Sequence, residues 1–278
     1  MSPTGILAGV LGALSFGAGD FAGAFASRRA GALIVVAGAH GVGLLALLIG
    51  VLIVQPPLPD AGAIGIGLAA GLAGLAGLGA LYRGMSIGSM GLVTSLAGSG
   101  SLALPLVAGA LLGASITNIQ LLGVACAAGA AAAASGASTD ELGRRSLLLA
   151  GVAAVSFGAW YVLLDLAARS GDPLWALVFS RTGSAIVAAV IVGVRGFDRS
   201  RVPLAIVVVA GIFDIGGNAL YVLAREQMHL GLAAALIGIY PVVTMVLARI
   251  VIGERLPRLG QLGVALALLG IVLISLGT

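Results

Sequence analysis

Asp214, Asn218, Tyr221 and Arg225 recur at i, i+4, i+7 and i+11, a spacing that puts them on one stripe of an α-helix. A carboxylate, an amide, a phenol and a guanidinium in line can hold a polar solute or pass a proton. The surrounding segment, "VVVAGIFDIGGNALYVLA", is otherwise apolar. An ionised side chain at the middle of a bilayer costs about 2.5–3.5 kcal/mol on insertion scales, so such a stripe must face a cavity or a partner. Asp214 is read as a transport residue, with a structural ion pair as its other reading.

Other polar residues interrupt apolar sequence in the same way. Asp20, in "SFGAGDF", shares a stripe with Phe16 and Gly23; it reads as a proton or substrate site, or as a helix-end residue. Asp165 follows Tyr161 by one turn and Phe157 by two, and also stands four residues before Arg169, with which it could simply pair. Arg181 lies well inside an apolar run and needs an acidic partner. His40 occupies the matching place in an earlier run, as a packing residue or a proton relay. Trp160 and Tyr161 offer aromatic faces suited to apolar or cationic solutes, whereas Tyr82 and Tyr221 also suit the membrane interface. Thr94, Gly98, Ser101 and Pro105 share one helical face, as do Ala234, Gly238, Pro241 and Met245. Each proline would free a carbonyl for a bend or a hydrogen bond.

The candidate substrate-binding set is therefore Phe16, Asp20, Ser101, Trp160, Tyr161, Asp214, Asn218, Tyr221 and Tyr240. Asp214 and Asp20 are the candidates for proton coupling, and Arg181, Asp165 and His40 the charge partners. No metal or cofactor is expected, since the two histidines form no HExxH and there is no lysine. No P-loop is present, so ATP is not the expected energy source.

The elements that must position these residues follow from composition. The 278 residues are 60% hydrophobic and 9% charged, with 45 glycines and a mean hydropathy of +1.19. Charges are far too few to cover a wetted surface, and glycine lets helices approach closely in lipid. Ten apolar runs reach the roughly 20 residues that a membrane span needs, at about 4–26, 31–54, 61–82, 90–112, 117–136, 146–168, 173–194, 202–224, 230–252 and 257–277. Lipid offers no partner to open backbone, so these runs are helices joined by short turns. The single cysteine, Cys126, sits in an Ala-rich run and reads as a packing residue. The N-terminal "MSPT" lacks the positive region of a cleavable signal peptide. The pI near 10 reflects arginines between apolar runs, which orient the chain in the bilayer; nucleic acid is not an expected partner.

The chain nearly repeats itself. "LAGV" at Leu7 and Leu149, "SFGA" at Ser15 and Ser156, "ALY" at Ala80 and Ala219, "GL" at Gly91 and Gly231, and "LGVA" at Leu122 and Leu262 match in order, about 140 residues apart. Each half holds five spans. An odd number makes the second half enter the bilayer from the opposite side, which gives an all-α membrane protein of ten transmembrane helices in two inverted five-helix repeats. The first repeat is placed at 1–136, a linker at 137–145 and the second repeat at 146–278. Inverted repeats of this kind hold substrate near the midplane where the halves meet.

The five-plus-five plan, "GERL" from Gly253 followed by "GQLGVALALLG" from Gly260, and the "YP" at Tyr240–Pro241 resemble the EamA-type drug/metabolite transporter superfamily. "GDFAGAFASRRA" resembles a bacterial subgroup of it. The first half departs from the pattern, with Gly113–Ala114 where the second has Gly253–Glu254. The resemblance implies a carrier in the bacterial inner membrane, an exporter of a small metabolite, amino acid or amphipathic cation, and one that is often proton-coupled. The expected partners are a small-molecule substrate and membrane lipid, with the chain a monomer or homodimer. An intramembrane enzyme acting on a lipid-linked substrate and a passive channel are the alternatives. Connections after odd-numbered spans carry Arg28, Arg29, Arg83, Arg144, Arg145, Arg195, Arg199, Arg201, Arg255 and Arg258, and those after even-numbered spans only Arg169 and Arg225. The positive-inside rule then places both termini outside, whereas ten-span relatives are expected to have both inside.

Overall fold

In a computed structural model the chain is described for residues 3–277 other than 112, 114, 138, 139, 170, 197 and 229, and for no side chain at 105, 108, 109, 199, 225, 230 or 231. Ala114 and the side chains of Pro105 and Arg225 thus lie outside the described residues. The described chain is helical throughout: α1 (Pro3–Ala30), α2 (Ala32–Val54), α3 (Ala61–Ile87), α4 (Met90–Leu111), α5 (Asn118–Ala137), α6 (Glu141–Arg169), α7 (Pro173–Arg195), α8 (Leu204–Gln227), α9 (Leu230–Ile237), α10 (Tyr240–Ile252) and α11 (Arg258–Leu276). A short 3-10 turn at Arg199–Arg201 precedes α8. Nine stretches among the described residues are long and apolar enough to cross a membrane, and α4 supplies a shorter one at Met90–Leu104.

The turns carry local signals that set each helix. Asp60 accepts from the Ala63 N–H at 2.8 Å to cap α3. Asp172 accepts from the Leu174 N–H at 2.7 Å, with Pro173 in the first turn of α7. Thr117 and Gln120 cap α5 reciprocally, each backbone N–H donating to the other's side-chain oxygen at 3.0 and 3.2 Å. Gly253, at φ 69°, closes α10 in the left-handed region that glycine adopts without cost.

The ninth span differs from the single helix expected. It is two helices, α9 and α10, broken between Ile237 and Tyr240. Pro241 falls in the first turn of α10, where its missing N–H costs nothing. A Cβ at Gly238 would run into Ile271 of α11, so the break also lets these helices close on each other.

Packing follows the sequence repeat. α1 lies along α8 as α3 lies along α6; α3 meets α7 as α8 meets α2; α2 faces α7, and α5 faces α11. The register pairs α1 with α6, α2 with α7, α3 with α8, α4 with α9–α10, and α5 with α11, so the contacts just named exchange with one another or with themselves between the halves. Gly71 of α3 closes onto the backbone at Ser180 of α7, and its counterpart Gly211 of α8 closes onto the backbone at Ala39 of α2. The helices therefore meet backbone to backbone at equivalent places.

Arginines gather at one end of the bundle. Arg28, Arg29, Ser200 and Arg201 line a cleft of about 410 Å³ there. Arg83 and Arg195 line a neighbouring cleft of about 430 Å³ beside the α1–α2 turn. The Ser200 hydroxyl and N–H hold the Asp198 carboxyl below the usual range at this end.

Candidate functional site

Arg181 and Asp214 form a buried ion pair: Arg181 Nη2 lies 2.6 Å from Asp214 Oδ2, with side chains 8% and 15% exposed. Arg181 reaches α8 by passing over Gly43 of α2, where a Cβ would stand 3.8 Å from both Arg181 Nε and Ile215 Cβ. His40, one turn earlier on α2 and 1% exposed, faces Arg181 across the helix pair. Neither of its ring nitrogens has a hydrogen-bond partner among the described residues. Arg181 and His40 are counterparts in the repeat, so α2 and α7 bring them to the same place from opposite halves.

Asp20 is the contrasting acid. It sits on α1 and is half-buried, and no described cation or hydrogen-bond donor contacts its carboxylate. Its charged neighbour is Asp214, whose own charge Arg181 already offsets. Around Asp20 stand three phenols, Tyr82 of α3, Tyr161 of α6 and Tyr240 of α10, each close enough to feel its charge. The closeness of α1 and α8 has a local cause: a Cβ at Gly19 would stand 3.2 Å from the Asp214 backbone nitrogen.

Tyr82 is where the sequence reading needs correction. It is not an interfacial anchor but fully buried, with a hydroxyl that has no hydrogen-bond partner among the described residues. Its ring lies over Gly23, where any Cβ would collide with it. Gly23 is one turn from Asp20 on the same face of α1, so the Tyr82 hydroxyl is carried into the acid's surroundings. The "ALY" repeat was the available signal, since it makes Tyr82 the counterpart of Tyr221. Tyr221 is half-buried and neighbours Tyr161.

The remaining candidates divide. Phe16 packs over Gly217 of α8 and stands 6.3 Å, ring to ring, from Tyr240. Tyr161 is 47% exposed, and Asp20 and Tyr221 are among its neighbours. Trp160 stands 5.0 Å from Tyr161 edge-on and donates its indole N–H to Ser180 at 3.0 Å, bracing α6 on α7. Tyr240 starts α10 just after the break, with its hydroxyl beside Thr94 and Gly98 of α4. Asn218 belongs to the stripe, but its amide donates to the Asp214 carbonyl at 2.8 Å and is spent on its own helix. Ser101 likewise donates to the Gly98 carbonyl at 2.8 Å and is buried. Asp165 does not join the group. It pairs with Arg169 at 2.7 Å, both side chains more than half exposed.

One acid outside the candidate set proves structurally important. Glu254 accepts from the Ser89 hydroxyl at 2.6 Å and from the Met90 and Gly91 N–H groups at 3.0 and 3.3 Å. A carboxylate from the second half thus caps the N-terminus of α4 in the first. The "GERL" string marks it in sequence, but only the fold reveals which helix it caps.

A family model described as the EamA-like transporter family matches the chain twice, at residues 3–136 and 144–276. A solved structure described only as "Crystal structure of protein" superposes with a TM-score of 0.61 at 18% sequence identity, over 99% of this chain and 98% of that one. At that identity the likeness speaks for the fold alone. No curated protein matches the sequence.

Proposed function

The chain belongs to the EamA-like transporter family, and from that premise we propose that it is a secondary active carrier of a small organic solute. The carrier works by alternating access, exports its solute and is coupled to protons in a bacterial inner membrane. The observation that carries this reading is Asp20, a carboxylate inside the bundle that no described cation offsets. An acid held there without a partner is expensive to keep, and a group that takes up and releases a proton or a solute accounts for it.

Movement has a natural division of labour in this reading. Two halves joined by equivalent contacts can rock about a shared centre, as inverted repeats do. The break between α9 and α10 supplies a hinge beside the site, and Thr244 of α10 donates to the Gly17 carbonyl of α1 at 3.0 Å. A bend at that hinge is thereby transmitted to the helix that carries Asp20. The arginine-rich end faces the cytoplasm by the positive-inside rule.

The test is reconstitution into liposomes holding a pH-sensitive dye, with an imposed pH gradient and a panel of amino acids, polyamines and quaternary amines. Wild-type protein moves protons when a transported solute is added, and Asp20→Asn does not. Sustained voltage-driven current without saturation would sink the carrier reading in favour of a channel.

A further inference from the structure

We propose that the cleft between α2, α3 and α7 at the arginine-rich end holds one anionic phospholipid, with its phosphate between Arg83 and Arg195 and an acyl chain along the outer faces of α2 and α3. None of these residues is among the candidates around Asp20, and the proposal does not depend on which solute is carried.

The charges select the headgroup. Arg83 of α3 and Arg195 of α7 line one cleft of about 430 Å³ beside the start of α2. Both are exposed, and neither forms an ion pair with a described carboxylate. The acid nearest to Arg195 in sequence, Asp198, is already engaged by Ser200 at 2.6 Å and Arg201 at 3.1 Å. Two guanidiniums sharing a cavity with no described acid repel each other, and a phosphate diester can accept hydrogen bonds from both. α2 also begins in this cleft without a side-chain cap, so its positive end adds to the same field.

The walls decide between a lipid and a free ion. Leu33, Ile34 and Val192 share the cleft with the arginines. Gly79 lies in it too, and a Cβ there would meet nothing within 4 Å, so the space beside Arg83 is open. Leu72, Gly79 and Arg83 fall on one stripe of α3, with Leu72 48% exposed. Ile34, Leu45 and Leu52 fall on one stripe of α2, with Leu45 65% and Leu52 74% exposed. These neighbouring helices run in opposite directions, so both apolar stripes lead from the arginines into the span. A free phosphate would leave them uncovered, whereas an acyl chain covers them. Basic pockets between spans take lipid headgroups in this way.

The site is one-sided. Arg83 belongs to the first half and Arg195 to the second, so a phosphate between them ties the halves together at this end. The repeat register gives Val222 and Val54 as their counterparts, and the opposite end therefore lacks the pair. The positive-inside rule puts the arginine-rich end at the cytoplasmic leaflet, where anionic lipid supplies the ligand. The neighbouring cleft makes a control. It combines Arg28 and Arg29 with Arg201, whose charge Asp198 already offsets.

The experiment is native mass spectrometry and thermal melting of the purified full chain in detergent, with dioleoylphosphatidylglycerol, dioleoylphosphatidylcholine or inorganic phosphate added. The expected result is one phosphatidylglycerol retained in preference to phosphatidylcholine, with a raised melting temperature, and no shift from inorganic phosphate at the same concentration. Arg83→Gln with Arg195→Gln should weaken phosphatidylglycerol binding roughly 30-fold, about fivefold per arginine. Arg28→Gln with Arg29→Gln should change it far less. Gly79→Leu keeps both arginines but fills the space beside Arg83, and should also weaken binding. The four arginines are exposed, so lipid-free melts of the glutamine variants should match the wild type. Equal retention of the two lipids would overturn the proposal, as would phosphatidylglycerol binding that survives Arg83→Gln with Arg195→Gln. A loss as large from the Arg28 and Arg29 pair would reduce the site to general surface charge. Inorganic phosphate that displaces the lipid and gives the same thermal shift would assign the cleft to a soluble anion instead.

Discussion

The two halves share one scaffold and differ in what they place at its centre. The "SFGA" register makes Asp20 of the first half the counterpart of Tyr161 in the second, and Arg181 the counterpart of His40. The second half holds its acid in an ion pair, whereas the first leaves its acid among phenols without a described cation. The tyrosines diverge for a local reason. Tyr82 is fully buried because Gly23 leaves room for its ring. Leu164 stands at the matching position, and Tyr221 remains half-buried. The fourth spans of the two halves differ too: α4 is continuous and capped by Glu254, while its counterpart is broken into α9 and α10. Symmetry thus supplies position, and departures from it set the two acids apart: a fixed pair in one half, an acid without a described cation in the other.

The largest expected effect comes from breaking the fixed pair. Arg181→Met leaves Asp214 buried without its cation, which should cost about 3–5 kcal/mol. Arg181→Met with Asp214→Leu should recover most of that loss, since an apolar pair of similar volume is often neutral. Asp20→Asn removes a charge with no described cation and should leave stability unchanged or raise it. Denaturant unfolding in detergent compares all three. Equal losses from Arg181→Met and Asp20→Asn would erase the distinction between the two acids.

A smaller effect tests why Tyr82 is buried. Gly23→Ala drives a methyl into the Tyr82 ring, and overpacking of this kind costs about 1–3 kcal/mol. Gly41→Ala and Gly151→Ala, where a Cβ meets nothing within 4 Å, should be close to neutral or slightly stabilising. Thermal melts of the three variants, with Gly23→Ala also assayed for proton flux in liposomes, show whether the Tyr82 position matters to the proposed transport as well as to the fold.

The sequence made the architecture readable because membrane spans announce themselves by apolar length, and because five short matches keep register. It led to the repeat, the spans and the two central acids, and it anticipated that Arg181 would need an aspartate. What it could not supply was distance between helices. The stripe through Asp214, Asn218 and Tyr221 is real as a stripe, yet Asn218 spends its amide on the Asp214 carbonyl. Ser101 is polar and well placed along its helix, but its hydroxyl returns to Gly98. In both cases a short polar side chain found its own backbone before any neighbour, a local competition that helical spacing does not reveal. Tyr82 was misread because burial depends on Gly23, a residue on another helix.

Glu254 offers a further break of symmetry. Its cap on α4 joins the two halves, and Glu254→Ala should cost about 1–2 kcal/mol, with faster proteolysis or hydrogen exchange at Met90 and Gly91. Glu254→Gln keeps an acceptor and should lose less. Exchange at the start of α4 that is unchanged in Glu254→Ala would show that the cap does not hold that turn.

The smallest effect belongs to Asp165, and it sharpens the comparison by being small. Asp165 lies only four residues beyond Tyr161 on α6, and its counterpart in the register is Ala24, one position past Gly23. Nearness in sequence therefore places it close to the residues around Asp20. Its carboxylate instead meets Arg169 at 2.7 Å on an exposed surface, where an i, i+4 pair contributes about 0.3–0.5 kcal/mol. Asp165→Asn should lower unfolding stability by no more than that. Transport in the same liposome assay should also persist. A loss as large as that of Asp20→Asn would mean that α6 turns Asp165 inward during the cycle, and that the second half also contributes an exchangeable acid.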